Sequence, residues 1–318
     1  MAFAYPKARL RSLTVITILS KRYHTPLPVD CLSVIWELLI PRLVGFTSPL
    51  TLAKGIRSTA CCRTQDCSSL LVVKRKSICE CSLLEIRSSG ELIDHGTLDI
   101  GFLLCLGVEP SSGDIIAVEQ NTGRSFAVSQ WKAHHPDKSL APKWGPWRTL
   151  VDFMSKPTMS SNGYFYGLSW RGASVLRIGP DESTKIFYDC GGTCADGLAI
   201  FERDGQPPQI LLLHRANGRS SSSTLSAISM DGKPLGTIAE LDLVGCDLDV
   251  DSNRGLCFVV GYYSGSLTVC ITDLHSKTSS YHSPLQRLII SRFFARDDGG
   301  LWLISKEGSV LGLDPIFA

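Results

Sequence analysis

The sequence predicts an all-β chain assembled from repeated multi-stranded units, and three observations lead to that reading. A strand, turn, strand pattern recurs, its copies begin roughly 40 to 52 residues apart, and 28 glycines and 16 prolines punctuate the 318 residues without a period of three. Repeats of that length mark propeller blades or solenoid units, and the missing three-residue period excludes collagen. Each copy continues into a third strand and a polar turn, so the unit is a sheet and not a helical pair. The expected architecture is a six-bladed β-propeller, with residues 1–49 as an N-terminal closing strand and short helical segment and residues 50–318 as the ring.

The copies follow in order along the chain. A weaker one begins near Ile56 and runs through Val73, and the clear ones are Gly107 to Val118, Met159 to Leu168, Gly197 to Leu213, Leu248 to Val260 and Phe294 to Ile304. In each, apolar runs flank a turn holding Gly with Asp, Asn or Ser, the residues that tolerate tight backbone turns. Third strands are expected at Ser82 to Ile93, Ala173 to Ile178 and Thr224 to Ile238. Six four-stranded blades require about 270 residues, which 50–318 supplies almost completely. The last copy ends soon after Leu313 and lacks an outer strand. The apolar run Leu13 to Leu19 is the expected substitute, since filling that place removes an open sheet edge.

Charge narrows the partner classes. The chain carries a formal net charge of +2, too little to signal binding to nucleic acid or anionic membrane. Its distribution is uneven, with twelve Lys or Arg against three acids in residues 1–78. A basic third of this kind either docks on an acidic partner or neutralises the acidic remainder within one fold. Leu13 to Leu19 follows Lys7, Arg9 and Arg11 but ends at Lys21-Arg22 without a small-residue cleavage site, so it reads as a strand and not as a signal peptide. Cys31 to Phe46 is broken by Glu37, Pro41 and Arg42 and is too interrupted to span a membrane. The expected compartment is the cytoplasm, with an organellar address through the basic N-terminus as the alternative. Twelve cysteines without a paired C-x-x-C spacing, and no Asn-x-Ser/Thr acceptor, suit unpaired thiols better than a zinc site or a disulfide framework.

The blade rhythm, together with Cys194-Ala-Asp-Gly-Leu-Ala199, resembles six-bladed propellers of the SMP-30/gluconolactonase-like and NHL-repeat group. In the lactonase-like members an Asn-Gly-Leu-Ala type of element supplies a divalent-metal ligand, and Asp196 stands at that place here. The resemblance therefore implies a calcium or zinc ion in the central channel, held by Asp196 and Asp247, with Asp247 or Asp249 as the catalytic carboxylate of a lactone or ester hydrolase. The first-blade glutamate of that group has no counterpart in Leu52 to Ile56, where Lys54 would repel a cation. Asp-Gly and Asp-x-Asp sequences also occur as plain turn caps.

Other segments point to binding instead. Trp131 to Trp147 has no strand pattern and reads as an inserted loop with three Trp, three Pro and the pair His134-His135, a composition suited to a binding surface. Trp131, His134, His135, Trp144 and Trp147 are thus candidate contacts for a protein or small-molecule ligand. Thr25 to Leu39 resembles the start of an F-box, which would make the chain an adaptor. The common enzyme motifs for phosphate loops, nucleophile elbows and zinc helices are absent. The leading expectation is a non-catalytic propeller without a cofactor that binds a protein or small ligand at one face; the metal-dependent hydrolase and the F-box-like adaptor are the alternatives.

Overall fold

The computed structural model describes residues 43–47, 50–54, 61–64, 67–75, 81–98, 102–108, 115–121, 125–131, 141–148, 158–169, 172–178, 184–203, 205–215, 222–285 and 289–317. Strands β1 (Leu43–Phe46) and β2 (Leu50–Ala53) lead into a blade of β3 (Cys61–Arg63), β4 (Ser69–Arg75), β5 (Cys81–Arg87) and β6 (Leu92–Leu98). The second blade holds β7 (Phe102–Val108), β8 (Ile115–Asn121), β9 (Ser125–Trp131) and β10 (Ala141–Arg148). The third holds β11 (Thr158–Met159), β12 (Phe165–Leu168), β13 (Ser174–Ile178) and β14 (Thr184–Asp189). The fourth holds β15 (Cys194–Phe201), β16 (Gln209–Arg215), β17 (Ser223–Ser229) and β18 (Pro234–Leu241). The fifth holds β19 (Val244–Asp251), β20 (Leu256–Tyr263), β21 (Ser266–Asp273) and β22 (Ser279–Leu285). These five blades are antiparallel meanders of consecutive strands, and together they define an all-β propeller.

The chain then ends in β23 (Ile290–Ala295), β24 (Leu301–Ser305), β25 (Val310–Leu313) and β26 (Pro315–Phe317). Here the sheet is composite. Its order is β2-β25-β24-β23, so the outer strand comes from the other end of the described chain, and β1 pairs with β26 beside it. The missing outer strand is therefore supplied from the N-terminal side, but by Leu50–Ala53. Leu13 to Leu19 lies outside the described residues, as does the F-box-like stretch Thr25 to Leu39, and the edge expected for Leu13 to Leu19 is already covered. The four-residue β2 serves because it lies next in sequence to the first blade, which packs against the composite sheet.

The central strands are continuous apolar runs because each is buried on both faces. Ile210, Leu211, Leu212 and Leu213 of β16 are all 0% exposed. Alternate residues serve different cores: Leu211 and Leu213 pack with Val250, Cys257 and Val259 of the fifth blade, whereas Ile210 and Leu212 pack with Tyr166, Leu168 and Val175 of the third. A period of two that divides residues between two interiors does not show as apolar-polar alternation. The same rule closes the ring, since Phe294, Trp302 and Ile304 of the composite sheet pack on Cys61, Leu70, Val72 and Ile86 of the first blade.

The first strands of successive blades neighbour one another around the centre. Where β15 meets β19, a Cβ on Gly197 would lie 3.0 Å from the Leu248 backbone nitrogen and 3.3 Å from Asp247 Cα. Gly197 thus lets two inner strands approach backbone to backbone, and this packing duty accounts for the Gly of the Asp196-Gly197-Leu198-Ala199 element. We predict that Gly197→Val costs about 1–3 kcal/mol by overpacking this seam, read as a drop in Tm of several degrees. An unchanged Tm would show that the seam opens without cost.

Candidate functional site: the channel rim

Propeller strands begin and end at two faces, and the two are chemically different here. At one face the first hairpin turns are linked from blade to blade. Glu202 accepts hydrogen bonds from Ser160 Oγ at 2.6 Å and from the Ser161 amide at 3.0 Å, and its own amide donates to Ser252 Oγ at 3.3 Å. Further round, Arg254 donates to the Asp297 carbonyl at 3.1 Å, and the Asp297 amide to the Cys67 carbonyl at 3.0 Å. Polar turn residues are consumed in holding neighbouring blades together.

Inside this face lies a buried charged joint. Asp249 is 4% exposed; its carboxylate accepts the Ala295 amide at 2.9 Å and faces Arg63 at 3.4 Å. Arg63 also donates to the Val250 carbonyl at 2.8 Å. Three sheets meet at these atoms: β3, β19 and β23. Burial works against the Arg63 charge, but Asp249, Cys67 and Asp251 outweigh it and move its pKa upward. Asp249, a candidate catalytic carboxylate in the sequence, is thus placed as a partner of Arg63 where three sheets meet. Asp251, ion-paired with Arg254, is pushed up to about 6, chiefly by burial.

The opposite face is a rim where the inner strands start. Register shifts between Ala195 and Gly197 in β15, between Gly245 and Asp247 in β19, and between Ile290 and Arg292 in β23 place Asp196, Cys246 and Ser291 in bulges. Bulges of this kind re-aim side chains and are frequent at barrel rims and active sites. Asp196 is gripped in a two-pronged ion pair by Arg215 of β16, which raises the Arg215 pKa. Next to it lies the exposed Cys246, whose thiol pKa is raised chiefly by partial desolvation. Asp247 accepts the Leu248 amide at 2.9 Å and lines a cavity of about 80 Å³ with Tyr262, Ser291, Arg292 and Phe293 among others. Space of that size holds a few water molecules or a small ligand.

Asp196 and Asp247 lie at the starts of neighbouring inner strands, and Asp196 has a guanidinium across its carboxylate. A divalent cation needs several oxygen donors with their lone pairs available. Among the described residues no group of three or more His, Cys, Asp and Glu is placed to hold a metal. The described residues do not fit the implied calcium or zinc site.

The aromatic segment is also placed differently from its sequence reading. Trp131 ends β9, and Trp144 and Trp147 lie in β10, paired with Val128 and Phe126, so this segment contains a blade's outer strand. An outer strand lies far from the central channel. Proline at Pro142 and Pro146 is tolerated there because an edge strand has a free ladder side, and these prolines concealed the strand. His134 and His135 lie outside the described residues. The arginines Arg63 and Arg215 carry no motif; only their partners on other strands reveal them. His214 is a further residue missed: its Nε2 lies 2.9 Å from Ser226 Oγ, and burial lowers its pKa.

No protein-family model matches the chain, and no curated protein is a detectable relative. Solved structures share its fold. The PQQ-bound aldose sugar dehydrogenase from Streptomyces coelicolor superposes with a TM-score of 0.59 at 14% identity, over 87% of this chain and 100% of that one. A putative oxidoreductase (glucose dehydrogenase) from Thermus thermophilus gives 0.56 at 14% identity, over 85% and 100%. A streptogramin B lyase gives 0.53 at 13% identity, over 86% and 98%. The chain is a β-propeller; at these identities the likeness concerns the fold alone, and fold does not carry reaction. No helix among the described residues is long and apolar enough to cross a membrane, and no disulfide joins the described cysteines.

The charged joint yields two predictions. Arg63→Met leaves Asp249 buried without its guanidinium and costs about 3–5 kcal/mol, whereas Asp249→Asn keeps an acceptor for the Ala295 amide and costs less; urea unfolding of both variants checks the order. For Asp251 the folded pKa of about 6 lies above the ordinary aspartate value. The folded state therefore binds this proton at a higher pH than the unfolded chain does, so stability from this group rises as pH falls from about 7 to 4. Asp251→Asn removes that contribution, and Tm measured for both proteins across this window should show the wild-type advantage growing toward acid pH.

Proposed function

We propose that this chain is a non-catalytic binding module: a six-bladed propeller, counting the composite sheet as the sixth blade, that takes a protein or small-molecule ligand at the channel rim. The observation that carries the reading is the Asp196–Arg215 ion pair, which places a permanent cation where the hydrolase alternative needs a metal. The rim, with its bulged inner strands and its cavity beside Asp247, replaces the Trp131–Trp147 segment as the binding face. Nucleic acid is not the expected partner, because the overall charge is near balance.

Titration with calcium and with zinc tests this reading. A metal at 100 times its dissociation constant would stabilise the fold by about 2.7 kcal/mol, a rise in Tm of roughly 4 °C. The expected result is no such rise in the wild type, with Asp196→Ala changing Tm only through loss of its partner Arg215. A metal-induced rise that disappears in Asp196→Ala would establish the lactonase-like alternative in its place.

A further inference from the structure

Tyr263 and Tyr281 of the fifth blade are 48% and 39% exposed, yet they stand together: their ring centroids lie 6.0 Å apart and their planes differ by 30°. Tyr281 is the cross-strand partner of Cys270, which packs between the fourth and fifth blades, so the rings stand at the outer edge of that seam. Tyr263 is held by a tight hairpin, because Ser264 and Gly265 take φ of 48° and 80° and return the chain at once to Ser266. Tyr281 is held through its hydroxyl, which accepts the Asp242 amide at 3.0 Å. Gly261 lets the linker before β19 lie close, since a Cβ there would sit 2.1 Å from Leu243 Cδ1 and 2.4 Å from the Val244 carbonyl oxygen. The rings and Asp242 are thus fixed in one place. Asp242 is exposed, and among the described residues no cation pairs with its carboxylate. None is supplied locally, since residues 234–253 contain no Lys or Arg.

The face of an aromatic ring is electrostatically negative, as a carboxylate is, so both parts of this surface attract a cation. Guanidinium matches it better than ammonium does: its plane stacks on ring faces while its edge donates two parallel hydrogen bonds to a carboxylate. The surface is open to solvent, so a small free cation would stay largely hydrated on it, whereas a side chain presented by a protein is covered from the other side. Tyrosine and arginine are also the residues that dominate protein interfaces. We propose that Tyr263, Tyr281 and Asp242 form a docking site for an arginine side chain of a protein partner, its guanidinium laid on the rings and paired with Asp242. A formal net charge of +2 gives the chain no general attraction for a basic partner, so the attraction is local to this patch. The inference rests on the reading of the chain as a binding module and gives its partner a chemical character.

NMR titration with short Gly-Ser peptides tests it, one carrying a pair of arginines, one a pair of lysines and one a pair of citrullines, the neutral counterpart of arginine. The arginine peptide should bind about tenfold more tightly than the citrulline peptide, with the lysine peptide between them. Tyr263→Ala and Asp242→Asn should each weaken the arginine peptide about fivefold, while Tyr263→Phe keeps the ring and with it the affinity. The Tm of each variant without peptide separates loss of folding from loss of binding, and Tyr263→Phe remains a test if Tyr263→Ala unfolds. The proposal is overturned if the citrulline or the lysine peptide binds as tightly as the arginine peptide, or if Asp242→Asn binds as the wild type does. Tetramethylammonium binding as tightly as the arginine peptide would assign the rings to a small free cation and overturn it as well. Failure of every peptide to bind overturns it too; if calcium and zinc are also silent, the reading of the chain as a binding module stands and only this partner class falls.

Discussion

Arg63 reaches from the end of the first blade to Asp249 and the Val250 carbonyl in the fifth, while Asp249 accepts the Ala295 amide from the composite sheet between them. The sheets whose side chains are described have two apolar faces and need a neighbour on each, so none of them is stable by itself. The ring must therefore close, and it closes where the two ends of the chain meet. Apolar packing of Trp302 and Phe294 against the first blade supplies most of the cohesion there. The charged joint adds direction, because a guanidinium bonded to named carbonyl and carboxylate oxygens tolerates only one register, whereas apolar faces tolerate several. A buried ion pair is weak evidence for net stability, and its use here is best understood as specificity of closure.

Closure in this form divides the molecule into a face of interlinked turns and a rim where the inner strands start. At the turn face Glu202, Ser252, Arg254 and Asp297 have been drawn into bonds between blades. At the rim the inner strands start, and bulges turn Asp196, Cys246 and Ser291 out of their ladders. The same sequence feature thus acquires different duties at the two ends of one strand. Within β19, Asp247 lies at the rim cavity, Asp249 in the joint and Asp251 at the turn, although all three share one parity along the strand.

The resemblance to lactonase-like propellers has a physical explanation that does not require their chemistry. Gly197 is needed because a side chain would collide with the β19 backbone, and Asp196 occupies a bulge that any inner strand of this type can form. What determines the use of the aspartate is its cross-strand neighbour, and Arg215 lies nineteen residues away in sequence. Sugar dehydrogenases and a lyase share the scaffold, which shows how little the strand architecture restricts what is placed at its mouth.

The repeat of apolar runs and turn residues determined the all-β class by itself, and the short last copy announced that an outer strand had to come from elsewhere. Both are local signals: periodicity and turn chemistry are properties of neighbouring residues. Asp196 and Asp247 were legible as candidates for the same reason, since a carboxylate beside Gly or alternating with apolar residues stands out. Only the tertiary structure decided that β2 closes the last sheet, that Trp144 and Trp147 lie on an outer strand, and that Asp196 and Asp249 are partnered by arginines. Those outcomes depend on contacts between residues as far apart as Arg63 and Asp249, and no window of sequence contains both.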